Sequence, residues 1–148
     1  MELRLPLFFS PKFSTTVRFA AGLVRHRLAF RLLAPLAPLK AGARARRLFL
    51  TPPRHVFRRA ELDALEEASL LTISMPTGRL IGWRWGRRED PVVVLAHGWG
   101  GRAAQLRSYV APLVARGYSV VGFDAPGHGR TGGRESSVVH MAAALQAV

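Results

Sequence analysis

With 148 residues, 49% of them hydrophobic and 21% charged, the chain has apolar surface for one packed core and too little length for two independent domains, which excludes a wholly disordered protein. The absence of cysteine removes disulfides, thiolate zinc sites and cysteine nucleophiles together. A nucleic-acid role argued from the net charge of +13 is misplaced: two lysines and eleven arginines against the single acid Glu2 give residues 1–60 a charge of +12, whereas nine arginines against eight acids leave residues 61–148 at +1.

Residues 5–9 are too short for the apolar region of a signal peptide, and no small-x-small cleavage site follows them. Residues 17–39 are apolar but interrupted by Arg18, Arg25, Arg27 and Arg31, so a spanning helix, which needs about 20 mostly apolar residues, is not expected. The expected protein is soluble and cytoplasmic. A helix is predicted from Ser14 to about Leu33, with Ser14 or Thr15 as N-cap and Val17, Ala20, Ala21, Val24 and Leu28 at spacings of three and four; Pro35 and Pro38 end it. A leader helix with a solvated basic face is the preferred reading of this stretch. An amphipathic surface for anionic lipid and an Arg-rich, acid-poor transit peptide stand as alternatives. Residues 40–60 read as a basic connector containing Thr51-Pro52-Pro53, followed by a short acidic helix at 60–68. The expected organisation is a basic, partly helical extension over 1–60 and a body over 61–148.

In the body the pattern changes to strands. Residues 70–75 and 79–85 flank the turn Pro76-Thr77-Gly78 and predict a hairpin, with Ile81, Trp83 and Trp85 alternating onto one face. Residues 91–96 form a continuous apolar run, the pattern of a central strand buried on both faces. A helix is expected over 104–116 with Leu106, Tyr109, Val110, Leu113 and Val114 on one stripe and Gly117 as its end, although Pro112 interrupts it. Residues 118–123 predict the next buried strand, and Ser136 or Ser137 caps a last helix to Val148. An antiparallel pair followed by strand, helix, strand and helix implies a layered α/β fold with a mostly parallel sheet.

Loops at the carboxyl ends of parallel strands bind ligands in such sheets, and two qualify: His97-Gly98-Trp99-Gly100-Gly101, and Asp124-Ala125-Pro126-Gly127-His128-Gly129-Arg130-Thr131-Gly132. Gly98-x-Gly100-x-x-Ala103 also fits a dinucleotide fingerprint, with Asp124 at the end of the next strand as ribose ligand. Against that stand Trp99 between the two glycines, no glycine before Gly98, and a hairpin that precedes the glycine-bearing strand. The five histidines, His26, His55, His97, His128 and His140, have no ligand spacing, so no metal is expected.

The two loops in this order, one helix apart and after an antiparallel pair, resemble the α/β-hydrolase family, in which H-G-x-x-G and D-x-P-G-H-G-x-[S/T] occur together. The resemblance covers roughly residues 68–148. It implies a three-layer, mostly parallel sheet, incomplete here, and a carbonyl substrate such as an ester or amide, handled by Ser-His-Asp chemistry without a cofactor. It further implies that the Trp99 N–H helps bind an oxyanion, with Gly98 and Gly100 shaping the turn and His97 bracing the loop. Asp124, Gly127, His128 and Gly129 of the second loop become structural, Asp124 through hydrogen bonds to backbone. No Gly-x-Ser-x-Gly occurs in the 148 residues; the nucleophile, acid and base are expected beyond Val148, so this chain is expected to be truncated and inactive. Gly129-Arg130-Thr131-Gly132-Gly133 is formally G-x-T-x-G but falls one strand too early. The strand expected next would occupy the middle of the sheet, leaving an open edge beside Val120 and Val121. The partners expected are a small acyl substrate and no nucleic acid, with membrane-surface contact through the basic N-terminus as a lesser expectation.

Overall fold

A computed structural model describes residues 11–76 and 78–148, with side chains from Ala20 onward. The chain divides into two compact units between Arg46 and Arg47, so residues 47–60 go with the body.

The first unit is helical. Helix α1 runs over Pro11–Leu36 and α2 over Pro38–Leu50. Ser14 and Thr15 therefore lie inside α1 rather than capping it, and half of the expected connector is helix. Pro35 sits in the last turn of α1 and Pro38 at the first position of α2. At a helix start the missing N–H costs nothing, because the first-turn donors have no intrahelical partners. The two prolines thus separate helices instead of ending the helical region.

In the second unit, α3 (Arg59–Glu66) leads into β1 (Ser69–Met75) and β2 (Gly78–Trp85), then β3 (Val92–Ala96) and β4 (Ser119–Asp124). The sheet order is β1-β2-β4-β3: β1 with β2 and β2 with β4 are antiparallel, β3 with β4 parallel. Met75 pairs with Gly78 across the hairpin; its turn includes Thr77, which lies outside the described residues. Each face of the sheet carries its own core. Trp83, Trp85 and Val120 pack with Leu65, Ala103 and Ala104 on one face, with Ile81 against them, as the alternation in β2 requires. On the other face Leu80 and Phe123 meet Ala125 and Ala144 of α5 (Val138–Ala147). Ser137 caps α5 by accepting from the His140 N–H at 3.2 Å.

Two sequence expectations are corrected here. The central strand is β4, whose six residues are all buried and which is paired on both sides. Strand β3 is an edge, at the opposite end of the sheet from β1, with Val92 and Val94 exposed, so the open edge on that side lies there and not beside Val120 and Val121. An apolar run records composition, whereas edge position depends on which neighbour is paired. Second, the helix expected over 104–116 is split into a 3-10 segment, Ala103–Tyr109, and a single turn, α4, Val110–Val114. Pro112 cannot donate to a carbonyl four residues earlier. Restarting the helix at Val110 moves Pro112 into a first turn, where no donor is needed. Gly117, with φ +82°, closes the segment.

Candidate active site

Because β3 and β4 are parallel and adjacent, their two following loops emerge at the same end of the sheet. Hydrogen bonds to two side chains, His97 and Asp124, join them. The Ala125 N–H donates to His97 Nε2 at 3.0 Å, and His97 Nδ1 lies 2.8 Å from the Gly98 carbonyl. Nε2 must therefore be unprotonated and Nδ1 must carry the hydrogen, which fixes a neutral ring in one tautomer. Asp124 is fully buried. Its Oδ1 accepts from the Ala103 N–H at 2.7 Å, at the start of the 3-10 segment, and its Oδ2 accepts from the Arg130 N–H at 2.7 Å. Thr131 Oγ1 donates to the Asp124 carbonyl at 2.6 Å and accepts from the Ile81 N–H at 2.9 Å, tying the second loop to β2.

His128 is buried against these groups, its ring centroid 5.0 Å from that of His97 and 5.4 Å from Trp99 in an edge-on arrangement. Nδ1 is 2.9 Å from the Pro126 carbonyl, and Nε2 has no partner among the described residues. Burial pushes its pKa below the usual imidazole range; the Pro126 contact and the Asp124 carboxylate oppose this, and the charge of Arg54 adds to it. The turn around it needs glycine at 129: φ is +44°, and a Cβ there would collide with the Asp124 carboxylate.

The tip of the first loop differs from all of this. Gly98 is exposed and Trp99 is 47% exposed. Among the described residues the Trp99 N–H donates to no acceptor, while the Gly101 N–H closes the turn on the Gly98 carbonyl at 2.9 Å. Beside the loop lies an apolar pocket formed by Ala96, His97, Phe123, Ala125, Met141 and Leu145.

A third segment completes the arrangement, and nothing in the sequence pattern announced it. Residues 51–58 run across both loops. The Arg54 guanidinium donates to the carbonyls of Gly127, Gly129, Thr131 and Gly133 at 3.2, 3.3, 2.9 and 2.9 Å. Pro53 covers Gly100, where φ is +70° and a Cβ would stand 3.0 Å from the proline ring. Phe57 faces the guanidinium groups of Arg102 and Arg130, at 4.8 and 5.4 Å from its ring centre. Arg102 is buried and reaches the Glu61 carboxylate at 2.7 Å and the Val56 carbonyl at 3.2 Å; the Arg58 N–H donates to the same Glu61 oxygen at 2.7 Å. Burial alone would raise the Glu61 pKa, but the hydrogen bonds from Arg102 and the Arg58 N–H, with the charge of Arg102, lower it overall.

This geometry bears on two readings of the sequence. A ribose ligand needs an accessible carboxylate, and both oxygens of Asp124 are spent on backbone N–H groups in a buried position. The helix N-terminus that would take a pyrophosphate is a 3-10 segment whose leading Ala103 N–H is already bound to Asp124. A nucleophilic Thr131 needs a free hydroxyl beside a base. Thr131 is 3% exposed, and its hydroxyl donates to one backbone group and accepts from another. Among the described residues no group of three His, Asp or Glu side chains converges as a metal site would require. No helix among them is long and apolar enough to cross a membrane.

Comparison with known proteins points one way. Residues 87–147 match the family model described as serine aminopeptidase, S33. The thioesterase domain from the curacin biosynthetic pathway is similar in structure, with a TM-score of 0.50 and 28% identity over 53% of this chain and 29% of that one. An esterase of Pyrococcus furiosus superposes with a TM-score of 0.56 and 26% identity over 66% of this chain and 38% of its own. The match thus spans well under half of either solved chain. No curated protein matches the sequence.

Proposed function

From the premise that the body of this chain has the α/β-hydrolase fold and belongs to that family, we propose that the loop at residues 97–101 is the oxyanion-binding arm of a hydrolase acting on a small carboxylic ester, amide or similar carbonyl compound. The observation that carries the reading is the unspent Trp99 N–H at the exposed end of a parallel strand. The Asp124 carboxylate and the Thr131 hydroxyl of the adjoining loop are, by contrast, tied into the scaffold. Attack on a carbonyl moves negative charge onto its oxygen, and a backbone donor without an acceptor of its own is free to meet that charge. Gly98 and Gly100 leave room for the reacting carbonyl to approach the main chain. His97 keeps the loop in place through its hydrogen bond from the Ala125 N–H.

The 148 residues supply this binding arm and not the attacking group: they contain no Gly-x-Ser-x-Gly, and Thr131 is committed to the backbone. The chain by itself is therefore expected neither to hydrolyse p-nitrophenyl esters above background nor to react with a fluorophosphonate probe. The binding half can be tested on the same chain by following amide resonances while a phosphonate monoester, which imitates the tetrahedral oxyanion, is added. The Trp99 amide should shift and those of Ala103 and Arg130 should not. An unmoved Trp99 amide would remove the oxyanion role. Covalent labelling abolished by Thr131→Ala would make Thr131 the nucleophile.

A further inference from the structure

We propose that the helical unit α1–α2 is a docking surface for an anionic lipid bilayer, on which α1 lies in the plane of the interface. Val24, Leu28, Leu32 and Leu36 recur every four residues on α1 and are 54, 55, 66 and 81% exposed; Leu39, at the start of α2, is 89% exposed. At 100° per residue these α1 positions fall within a third of a turn and form one stripe. The half-buried residues of the helix, Gly22, His26, Ala29, Phe30 and Leu33, lie on the opposite side. There His26 is held by Arg44 of α2 at 3.2 Å. Single exposed leucines are ordinary, but a contiguous row of large apolar side chains on one face marks a contact surface.

Charge selects the occupant. Arg25 falls within that third of a turn, Arg31 borders it, Arg27 stands one step further round, and all three are exposed. No acid occurs between Glu2 and Glu61, so the surface is uniformly cationic where it is apolar. An interfacial helix combines these two properties: apolar side chains enter the acyl boundary while guanidinium groups, on stems that can bend outward, meet lipid phosphates. A nucleic acid would satisfy the arginines and leave the leucines in water, since its backbone offers phosphate and sugar at that surface. The helix is also too interrupted by arginine to span, in agreement with the lack of any spanning helix among the described residues.

The test is co-sedimentation of the 148-residue chain with vesicles of phosphatidylcholine alone or mixed with phosphatidylglycerol. Binding is expected to the mixed vesicles and to be at least roughly ten-fold weaker on phosphatidylcholine, each surface arginine contributing about five-fold. Arg25→Gln, Arg27→Gln and Arg31→Gln together should remove that preference. Leu28→Ser with Leu32→Ser should abolish what binding survives high salt. All five positions are exposed, so unchanged far-ultraviolet circular dichroism is expected and separates lost docking from lost folding. Equal binding to both vesicle types, no sedimentation at all, or retention by the Leu28→Ser, Leu32→Ser chain would overturn the proposal. Tighter binding to a single-stranded oligonucleotide, insensitive to the two leucines, would also overturn it and make the surface a nucleic-acid site. These outcomes do not depend on the oxyanion loop, whose test reads the Trp99 amide.

Discussion

The two loops that leave β3 and β4 side by side have opposite fates. The loop after β4 is part of the scaffold: the Asp124 carboxylate, the Thr131 hydroxyl and four of its carbonyls are consumed by neighbours from β2, the 3-10 segment and Arg54. The loop after β3 is fixed at its base by His97 and covered at Gly100 by Pro53, yet its tip at Gly98 and Trp99 is open. A buried polar group left without a partner costs far more than a satisfied one gains. The loop next to the central strand is therefore wired through most of its polar groups, His128 Nε2 excepted, while one at the sheet edge can leave a donor without an acceptor. The rigid loop positions the open one, which is the arrangement a pre-organised binding arm requires.

If that division holds, stability should be concentrated in the second loop and its clasp. The largest effect is expected from Asp124→Ala, which strands the buried Ala103 N–H and the partly buried Arg130 N–H and loses two charge-assisted hydrogen bonds; urea unfolding should show a loss of roughly 3–6 kcal/mol. Glu61→Ala comes next, at roughly 3–5 kcal/mol, because Arg102 remains buried and unpaired. Replacing both partners, Glu61→Leu with Arg102→Met, should recover most of that in the same assay. A double variant as unstable as the single one would mean that the ion pair acts through more than its charge.

Arg54→Ala should cost about 2 kcal/mol by urea unfolding, and Arg54→Lys should restore only part of it, since a compact ammonium cannot fork to four carbonyls. Full rescue by lysine would show that charge near the loop, and not the planar fork, is what matters. A smaller, pH-dependent effect is expected from His128. Its pKa in the folded chain lies below the usual value of about 6.5, so the unfolded chain binds the proton more readily. Its contribution to stability is then complete above about 6.5 and lost as pH falls below it. Glu61 is also depressed, but its contribution persists down to the carboxylate range. His128→Asn, which can still donate to the Pro126 carbonyl, should flatten the stability profile just below about pH 6.5; an unchanged slope would assign that titration elsewhere. Smallest of all, Trp99→Ala should change unfolding free energy by no more than about 0.5 kcal/mol. A larger loss would place the open loop within the scaffold and erase the contrast between the two.

Local chemistry made much of this legible. The alternation of Ile81, Trp83 and Trp85 put one face of β2 into the core, Ser137 was one of two available caps, and the order of the two glycine-rich loops pointed to the fold. Helix α1 was legible in type but not in extent, since proline at a helix start and proline as a stop look alike until the neighbouring hydrogen bonds exist. Arg54 was not legible at all. It stands in a run of basic residues that differ little from it in sequence, and its acceptors lie 73 to 79 positions away.

What the sequence by itself determined is whatever depends on neighbours along the chain: strand periods, caps, the hairpin register, the glycines that allow tight turns, and the confinement of positive charge to the first 60 residues. Only the tertiary structure decided which of two apolar runs became the sheet centre, because pairing of β4 with both β2 and β3 is a choice between strands of similar composition. It likewise decided which arginine became a clasp. Side-chain identity gives Arg54 its five donors, but their use depends on carbonyls turned toward it by glycines 127, 129 and 133, whose positive φ values are realised only once β4 is in place.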